Sequence, residues 1–236
     1  MDCYDHQRDH HQCSLYTVCN DVLIEILARV ASSSLPDLCS FKCANKLLHG
    51  LADDSYVFKH VSMEQIRPIP WWPLSIDELS FLRQCLESQN PEALYRLGMI
   101  EFFNKDHFEV GLALLKRAAS FGHDEATYAL GMILLCDEDA ESRLQGIVVL
   151  DELEEALRQR YWCGYKISDC RKKCQKILRS MWVNCSLRPQ ELHACKNGCK
   201  RNSGRSWDPD DLNSFNCKSC KWDHEFKLFR STLTNS

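Results

Sequence analysis

Apolar residues recur every three or four positions along much of this chain, which is the spacing of amphipathic helices. The first such stretch runs from Asp21 to Phe58. Asn20 or Asp21 can cap one helix, and Ser34 followed by Asp37 has the composition of a second helix start. The predicted apolar faces are Val22, Leu23, Ile26, Leu27 and Val30 in the first helix, and Leu38, Phe41, Ala44, Leu48 and Leu51 in the second. About forty residues cannot bury a self-sufficient core, so we expect this pair of helices to need a partner surface.

A ten-residue segment occurs twice in the middle of the chain. Pro91–Ile100 recurs as Asp124–Ile133 with seven identities at an offset of 33 residues. A period in this range is typical of stacked helical repeats. Gly111–Leu115 is echoed by Gly146–Leu150 at an offset of 35, so each repeat is predicted to contain two helices. Small residues at equivalent positions are expected where neighbouring helices approach closely, and they are Ala93, Gly98, Ala126 and Gly131.

Helix start and stop signals surround these repeats. Ser75 with Glu78 has the pattern of a capping box, and Asn90 before a proline is a second start signal. A helix is predicted from about Phe108 to Phe121, with Gly122 as its left-handed stop. Two units are fewer than a stable array usually needs, so the helix at Ser75 and the helices after the repeats are predicted to act as caps.

The charges are unevenly distributed in a chain of net charge −4. Residues Asp137 to Glu155 hold eight acids against one base, and Arg158 to Arg179 hold eight bases against one acid. The basic block is either a nucleic-acid surface or a solvated helix beside its acidic neighbour. The net negative charge favours the second interpretation, because nonspecific nucleic-acid affinity depends on accumulated positive charge.

The hydropathy pattern also bears on location. No apolar run approaches the roughly 18 residues of a membrane helix, and the first thirteen residues lack an apolar signal segment. We therefore expect an intracellular protein, cytoplasmic or nuclear or both, that does not enter a membrane.

Fifteen cysteines in a chain of this expected location indicate reduced thiols and metal ligation rather than disulfides. Two pairs near the C-terminus have the spacing of a zinc site with four thiolates, and its predicted ligands are Cys195, Cys199, Cys217 and Cys220. The polar residues between the pairs need such a staple in order to fold. Four unligated thiols are the alternative, and His193 or His224 could replace a cysteine. A closed site of this kind is structural and performs no metal catalysis.

The N-terminal stretch resembles an F-box. The opening pattern of that family is matched by Asp21, Leu23, Glu25, Ile26, Leu27, Arg29 and Val30, and a later part by Lys46 and Leu51. Val18 and Cys19 stand where the family has Leu-Pro, and Leu48 stands where it has Trp. The repeats resemble Sel-type repeats, which are relatives of the tetratricopeptide family. Together with the cysteine pairs, this combination resembles a group of plant F-box proteins.

The resemblance implies a non-catalytic substrate receptor of an SCF-type ubiquitin ligase. The box would bind a Skp-type adaptor, the adaptor would join a cullin, and the repeats would hold an unidentified target protein. The expected adaptor contacts are Val22, Leu23, Ile26, Leu27, Val30, Leu35 and Leu38. No active-site motif is present, so no enzymatic activity is predicted. Two alternatives are a repeat scaffold without ligase association and a zinc-containing regulator associated with nucleic acid.

The predicted fold is all-α, with an F-box hairpin or three-helix unit, a short α-solenoid and a small zinc module. The predicted domains are a flexible tail at 1–19, the F-box at 20–62, a linker rich in Pro and Trp at 63–74, the repeat domain with its capping helices at 75–182, the zinc module at 190–226 and a tail at 227–236. Trp71 and Trp72 in the linker are predicted to cover the joint between the hairpin and the following helices.

Overall fold

A computed structural model describes residues 18–67, 75–161, 164–184 and 217–231, together with residues 187, 212, 215 and 233. The regular elements in these ranges are helices, which confirms the predicted all-α class. They are α1 (Asn20–Ser33), α2 (Leu35–Ala44), α3 (Lys46–Leu51), α4 (Ser55–His60), α5 (Ile76–Glu87), α6 (Pro91–Phe103), α7 (Phe108–Ser120), α8 (Asp124–Leu135), α9 (Ala140–Arg160), α10 (Ile167–Arg179) and α11 (Lys218–Arg230). Within these ranges, no helix is both long and apolar enough to cross a membrane. The chain forms two compact units that divide after Ser62.

The first unit contains α1 to α4. Helix α1 packs against α2, α3 and α4. The core of this unit includes Leu23, Leu27, Leu38, Leu48, Val57 and Phe58. The single helix predicted after Ser34 is wrong in its extent, because the chain becomes extended at Asn45 and divides it into α2 and α3. The Asn45 side chain accepts a hydrogen bond from the Leu47 amide at 2.7 Å and so caps α3. Helix α1 begins after Cys19, whose side chain makes no capping bond, so the predicted cap at Asn20 or Asp21 is also wrong.

Other predicted helix ends agree with the structure. Ser34 Oγ accepts from the Asp37 amide at 3.2 Å, and Ser75 with Glu78 forms both bonds of a capping box. Asn90 Oδ1 accepts from the Ala93 amide at 3.1 Å. Gly122, which follows the C-cap residue Phe121 of α7, has φ of +81°, a conformation that favours glycine at a helix end.

The second unit contains the two predicted helix pairs, α6 with α7 and α8 with α9. Both pairs cross at glycines, which is why the repeat sequence is rich in this residue. A Cβ on Gly111 would lie 2.6 Å from the backbone nitrogen of Phe102, and a Cβ on Gly98 would lie 3.2 Å from the Gly111 carbonyl oxygen. In the second pair, a Cβ on Gly146 would lie 3.0 Å from the Gly131 carbonyl oxygen. The helices therefore approach at backbone distance in both repeats.

Helix α8 is the centre of this unit. Ten of its twelve residues are buried, because it contacts α7 and α9 within the array and α10 and α11 from the rest of the chain. Helix α10 lies across α6 and α8 and buries Cys170, Cys174, Ile177 and Leu178. Cys170 and Cys174 are fully buried there and act as packing residues.

Helix α11 packs against α8 and α9 through Trp222, Phe226 and Phe229. It continues to Arg230, so the tail predicted from residue 227 begins inside a helix and is wrong at that boundary. The predicted N-terminal tail up to residue 17 and the linker residues 68–74, with Trp71 and Trp72, lie outside the described residues.

Candidate functional site

The outward face of α1 is apolar although its opposite face already fills the core of the first unit. Leu23 and Leu27 are 3% and 1% exposed, whereas Val22 and Ile26 are 50% and 45% exposed. Val30 lies one further turn along the exposed stripe and is half-buried. A helix that is apolar on both faces has more hydrophobic surface than its own unit covers.

A groove of about 360 Å³ continues this stripe between α1 and α2. It is lined by Arg29, Val30, Ser33, Asp37, Ser40 and Phe41. Phe41 is 39% exposed and, with Val30, forms the apolar part of the lining, while an arginine, an aspartate and two serines supply hydrogen-bonding groups. We call the exposed α1 stripe and this groove together the α1/α2 surface.

Glu25 joins α1 to α4 beside this surface. Its carboxylate accepts from Arg29 Nε at 2.9 Å and from the Tyr56 hydroxyl at 2.9 Å. The hydrogen bond from Arg29 is the main reason that the pKa of Glu25 lies below its usual value, and the same carboxylate raises the pKa of Tyr56. The carboxylate therefore stays ionised at neutral pH and holds the Arg29 side chain at the edge of the groove.

The seven residues predicted to contact an adaptor fall into three groups. Val22 and Ile26 are exposed, Val30 and Leu35 are half-buried, and Leu23, Leu27 and Leu38 lie in the core of the unit. Their role in adaptor contact stays a prediction. Sequence reasoning missed Phe41 as an exposed residue, because it follows the buried Leu38 at helical spacing and so carries the same pattern as a core residue.

The inner side of the repeat array is covered by a polar network between α6, α8 and α10. The Tyr95 hydroxyl donates to Cys174 Sγ at 3.1 Å. Glu125 accepts from the Tyr165 hydroxyl at 2.7 Å and pairs with Lys173 Nζ at 2.6 Å. Burial raises the pKa of Cys174, so its thiol is neutral and not a nucleophile. Helix α10 thus covers this side of α6 and α8.

A second set of contacts extends this network to Glu92. His123 Nδ1 accepts from the Ala126 amide at 3.2 Å, so its Nε2 carries the proton and donates to Glu92 at 2.7 Å. Burial alone would raise the pKa of Glu92, but His123 and Arg96 lower it to about 2. The Arg96 guanidinium also donates to the carbonyl oxygen of Met63 at 2.8 Å and so fixes the start of the second unit.

Most bases of the basic block, which runs from Arg158 at the end of α9 to Arg179 in α10, are paired with acids. Of its eight bases, five form ion pairs, which are Arg158 with Glu155, Arg160 with Asp124, Arg171 with Glu225, Lys172 with Asp169 and Lys173 with Glu125. Paired bases contribute little attraction to a phosphate backbone, so the geometry favours the interpretation of a helix beside its acidic neighbours.

The predicted metal ligands are only partly described. Cys217 is the N-cap residue of α11 and Cys220 lies in its first turn, both half-buried. Cys195, Cys199 and His193 lie outside the described residues. In the part of the chain that the structure describes, no three His, Cys, Asp or Glu side chains are grouped to hold a metal, so Cys217, Cys220 and His224 do not form such a set by themselves.

Comparison with known proteins gives a repeat family and several relatives. Residues 64–179 match the family of plant tetratricopeptide repeats. An F-box protein of Arabidopsis thaliana is 34% identical over 139 residues, which are 58% of this chain and 80% of that protein. The chain belongs to the F-box protein family. No solved structure matches the present chain significantly.

Two longer proteins of Arabidopsis thaliana are also similar to this F-box protein. One, named "Putative F-box protein", is 30% identical over 186 residues, which are 76% of this chain and 61% of the relative. The other, an F-box protein, is 31% identical over 123 residues, which are 50% of this chain and 32% of the relative. The matched part of this F-box protein therefore spans less than two thirds of either relative.

Proposed function

We propose that this F-box protein is the non-catalytic substrate receptor of an SCF-type ubiquitin ligase in the cytoplasm, the nucleus or both. The α1/α2 surface binds a Skp-type adaptor, the adaptor joins a cullin, and the repeat unit holds a target protein. The observation that carries this proposal is the apolar stripe of α1, which stays exposed at Val22 and Ile26 in a unit whose core is already complete.

The exposed apolar side chains of this surface supply part of the free energy of a specific contact. Full burial of a valine or isoleucine side chain contributes about 1.5–3 kcal/mol, so covering the exposed halves of Val22 and Ile26 contributes about 1 kcal/mol each. Phe41 adds an aromatic side chain beside a groove, which is the environment in which binding hot spots occur. The polar lining of the groove offers hydrogen bonds that fix the orientation of the adaptor.

The receptor itself performs no bond chemistry under this proposal. It raises the effective concentration of a target lysine beside the ubiquitin carrier, which is a proximity effect. Because α10 covers the inner side of α6 and α8, the target contacts the outer surface of the repeat unit rather than a groove between these helices.

The chain offers a matched pair of variants for testing the adaptor contact. Val22 on α1 and Val148 on α9 are 50% and 52% exposed, so Val22→Asp and Val148→Asp make the same change at equal exposure. Both are assayed by co-expression with a Skp-type adaptor and titration of the purified chain. We expect Val22→Asp to weaken adaptor binding at least tenfold, because it removes about 1 kcal/mol of burial and places a carboxylate in the contact. Val148→Asp is expected to leave it unchanged.

Exposed positions are the informative ones for this experiment. Leu23→Asp would weaken adaptor binding even if Leu23 made no contact with the adaptor, since Leu23 is 3% exposed and its replacement disrupts the first unit. Equal binding by the Val22 and Val148 variants, or no binding by the wild-type chain, contradicts the proposal. The second result supports a repeat scaffold without ligase association.

A further inference from the structure

We infer that the end of α10 binds an acidic segment of the target protein, in which carboxylates stand next to an apolar or aromatic side chain. The binding residues are Lys176 and Arg179, in the last turn of α10, and Trp182, which follows the helix. We call these three residues the Trp182 surface. The inference rests on the proposed function only in naming the target protein as the partner, and the contact itself is tested without the adaptor.

Trp182 has an exposed side chain on a fixed backbone. Its side chain is 74% exposed, the largest exposed fraction among the described aromatic residues. Asn104 Nδ2 donates to the Trp182 carbonyl oxygen at 2.7 Å, and the Asn184 amide donates to the Phe103 carbonyl oxygen at 2.9 Å. The Asn184 side-chain amide also donates to the Asn104 carbonyl oxygen. Because the end of α6 holds this backbone in place, binding through Trp182 loses little conformational entropy.

The residues on either side of Trp182 explain why its indole lies in solvent. Met181 is 5% exposed and Val183 is half-buried, and both pack against the hydrophobic core of the second unit. These two neighbours anchor the segment, so the fold does not need a large apolar side chain at position 182. An exposed tryptophan with no role in the core is typical of a binding hot spot, because its ring offers a large apolar area.

The solvent-facing side of α10 carries positive charge up to this tryptophan. Lys172, Lys176 and Arg179 are exposed and follow one another at intervals of four and three residues, so they share one face of the helix. Lys172 pairs with Asp169 at 3.6 Å. Within the described ranges, no carboxylate pairs with Lys176 or Arg179. Both complement the negative end of the helix dipole and are also available to a carboxylate from another molecule.

The three residues are close enough for one short peptide to contact all of them. Lys176 and Arg179 are one helical turn apart, which separates their Cβ atoms by about 5–6 Å. Three residues of chain span at most about 11 Å, and this is the upper limit for the distance between the Cα atoms of Arg179 and Trp182. Carboxylates of a bound peptide therefore pair with the two bases while its apolar side chain covers the indole.

The size of the charged patch favours an acidic peptide over a nucleic acid. A nucleic acid carries a negative charge on every nucleotide, so its affinity depends on many bases along an extended surface. On this face of α10 only Lys176 and Arg179 lack an acid partner within the described residues. A peptide can place its carboxylates opposite these two bases and be uncharged elsewhere, which matches a small patch next to one aromatic residue.

Fluorescence anisotropy with synthetic peptides tests the surface on the full-length chain, purified without an adaptor. The probe is a labelled pool of short peptides, each with several Asp or Glu residues next to one Phe or Leu. A second pool has Asn and Gln in place of the acids. We expect the acidic pool to bind about fivefold more tightly, because exposed ion pairs contribute modestly. Trp182→Ala should weaken binding at least about tenfold, as expected for a hot spot.

The chain offers a matched control for each change. Lys176→Gln with Arg179→Gln should abolish the preference for the acidic pool, whereas Lys116→Gln with Arg117→Gln removes the same charge from exposed positions of α7 and should keep it. Ile76→Ala is the control for Trp182→Ala, because Ile76 on α5 is 86% exposed and its replacement should leave binding unchanged.

Several results would overturn the inference. They are no binding of the acidic pool, equal binding of the two pools, and equal affinity of the wild-type and Trp182→Ala chains. Tighter binding of single-stranded RNA that is lost in Trp182→Ala would overturn it in favour of a nucleic-acid surface. Titration with a Skp-type adaptor separates this inference from the proposed function. A chain that binds the adaptor but not the acidic pool contradicts the inference alone, and the reverse result contradicts the ligase role and leaves the Trp182 surface supported.

Discussion

Replacement of Gly111 by alanine probes the closest helix crossing of the repeat unit. The new Cβ would lie 2.6 Å from both the backbone nitrogen and the Cβ of Phe102, and 2.8 Å from its Cα. Carbon atoms pack at about 3.5–4.0 Å, so α6 and α7 must separate by about 1 Å. The atoms in the way belong to backbone and Cβ, which no change of rotamer can move.

The magnitude of this effect follows from two opposing contributions. Forcing an extra carbon into a packed core costs about 1–3 kcal/mol, and more where backbone must move, whereas alanine is favoured over glycine inside a helix by about 1 kcal/mol. We expect Gly111→Ala to lower the free energy of unfolding of the second unit by about 2 kcal/mol. At Gly146 the closest atoms to a Cβ would be at 3.0–3.1 Å, so Gly146→Ala should be nearly neutral.

Hydrogen exchange of the α8 amides is the assay, because it reports the second unit separately from the first. Gly50→Ala is the control, since a Cβ at Gly50 meets nothing within 4 Å and should stabilise α3 by up to about 1 kcal/mol. In this assay Gly50→Ala should leave the protection of the α8 amides unchanged, because α3 belongs to the first unit, whereas Gly146→Ala should change it little and Gly111→Ala should lower it most. A Gly111→Ala chain whose α8 amides are as well protected as in the wild type would refute the argument that these helices meet at backbone distance.

Two further predictions concern charged groups of the second unit. The folded-state pKa of Glu92 is lowered from 4.5 to about 2, so the stability that its carboxylate contributes is complete above about pH 4.5 and is lost as the pH falls through about 2. When the free energy of unfolding is measured against pH, Glu92→Gln should flatten the curve in this range. The control Glu141→Gln changes an exposed carboxylate and should leave the curve unchanged. Arg171 and Glu225 are 4% and 0% exposed and pair at 3.1 Å, so Arg171→Met alone should cost about 3–5 kcal/mol in urea unfolding by leaving a buried charge without its cation. Adding Glu225→Met should recover part of this loss, and a double variant less stable than Arg171→Met would contradict the reasoning.

The sequence was sufficient for those features that depend on local pattern. Helical spacing, caps at Ser34, Ser75 and Asn90, and the repeat offset all describe contacts within a few residues, and the structure agrees with them. The break at Asn45 was missed because the apolar spacing continues across it from Phe41 to Leu48. Its asparagine cap was visible in the sequence and could have indicated the break.

Contacts between residues that are far apart in the sequence could not be predicted from its local pattern. Nothing in the spacing of Arg171 and Glu225 shows that residues 54 positions apart form a buried pair, or that the Tyr128 hydroxyl also donates to Glu225 at 2.7 Å. The α1/α2 surface was predicted only in part for the same reason. Which of the apolar residues on α1 and α2 remain exposed depends on how α4 and α3 pack against them, and periodicity alone carries no such information.

The position of α10 across α6 and α8 limits how this protein can acquire new partners. Solenoid proteins commonly bind their partners through an extended concave surface. Here use of the side formed by α6 and α8 would require α10 to be displaced, with exposure of Cys174, Leu178 and the ion pair of Arg171. Diversification is therefore expected through single substitutions on the solvent-facing sides of α7 and α9, which can change without loss of the fold.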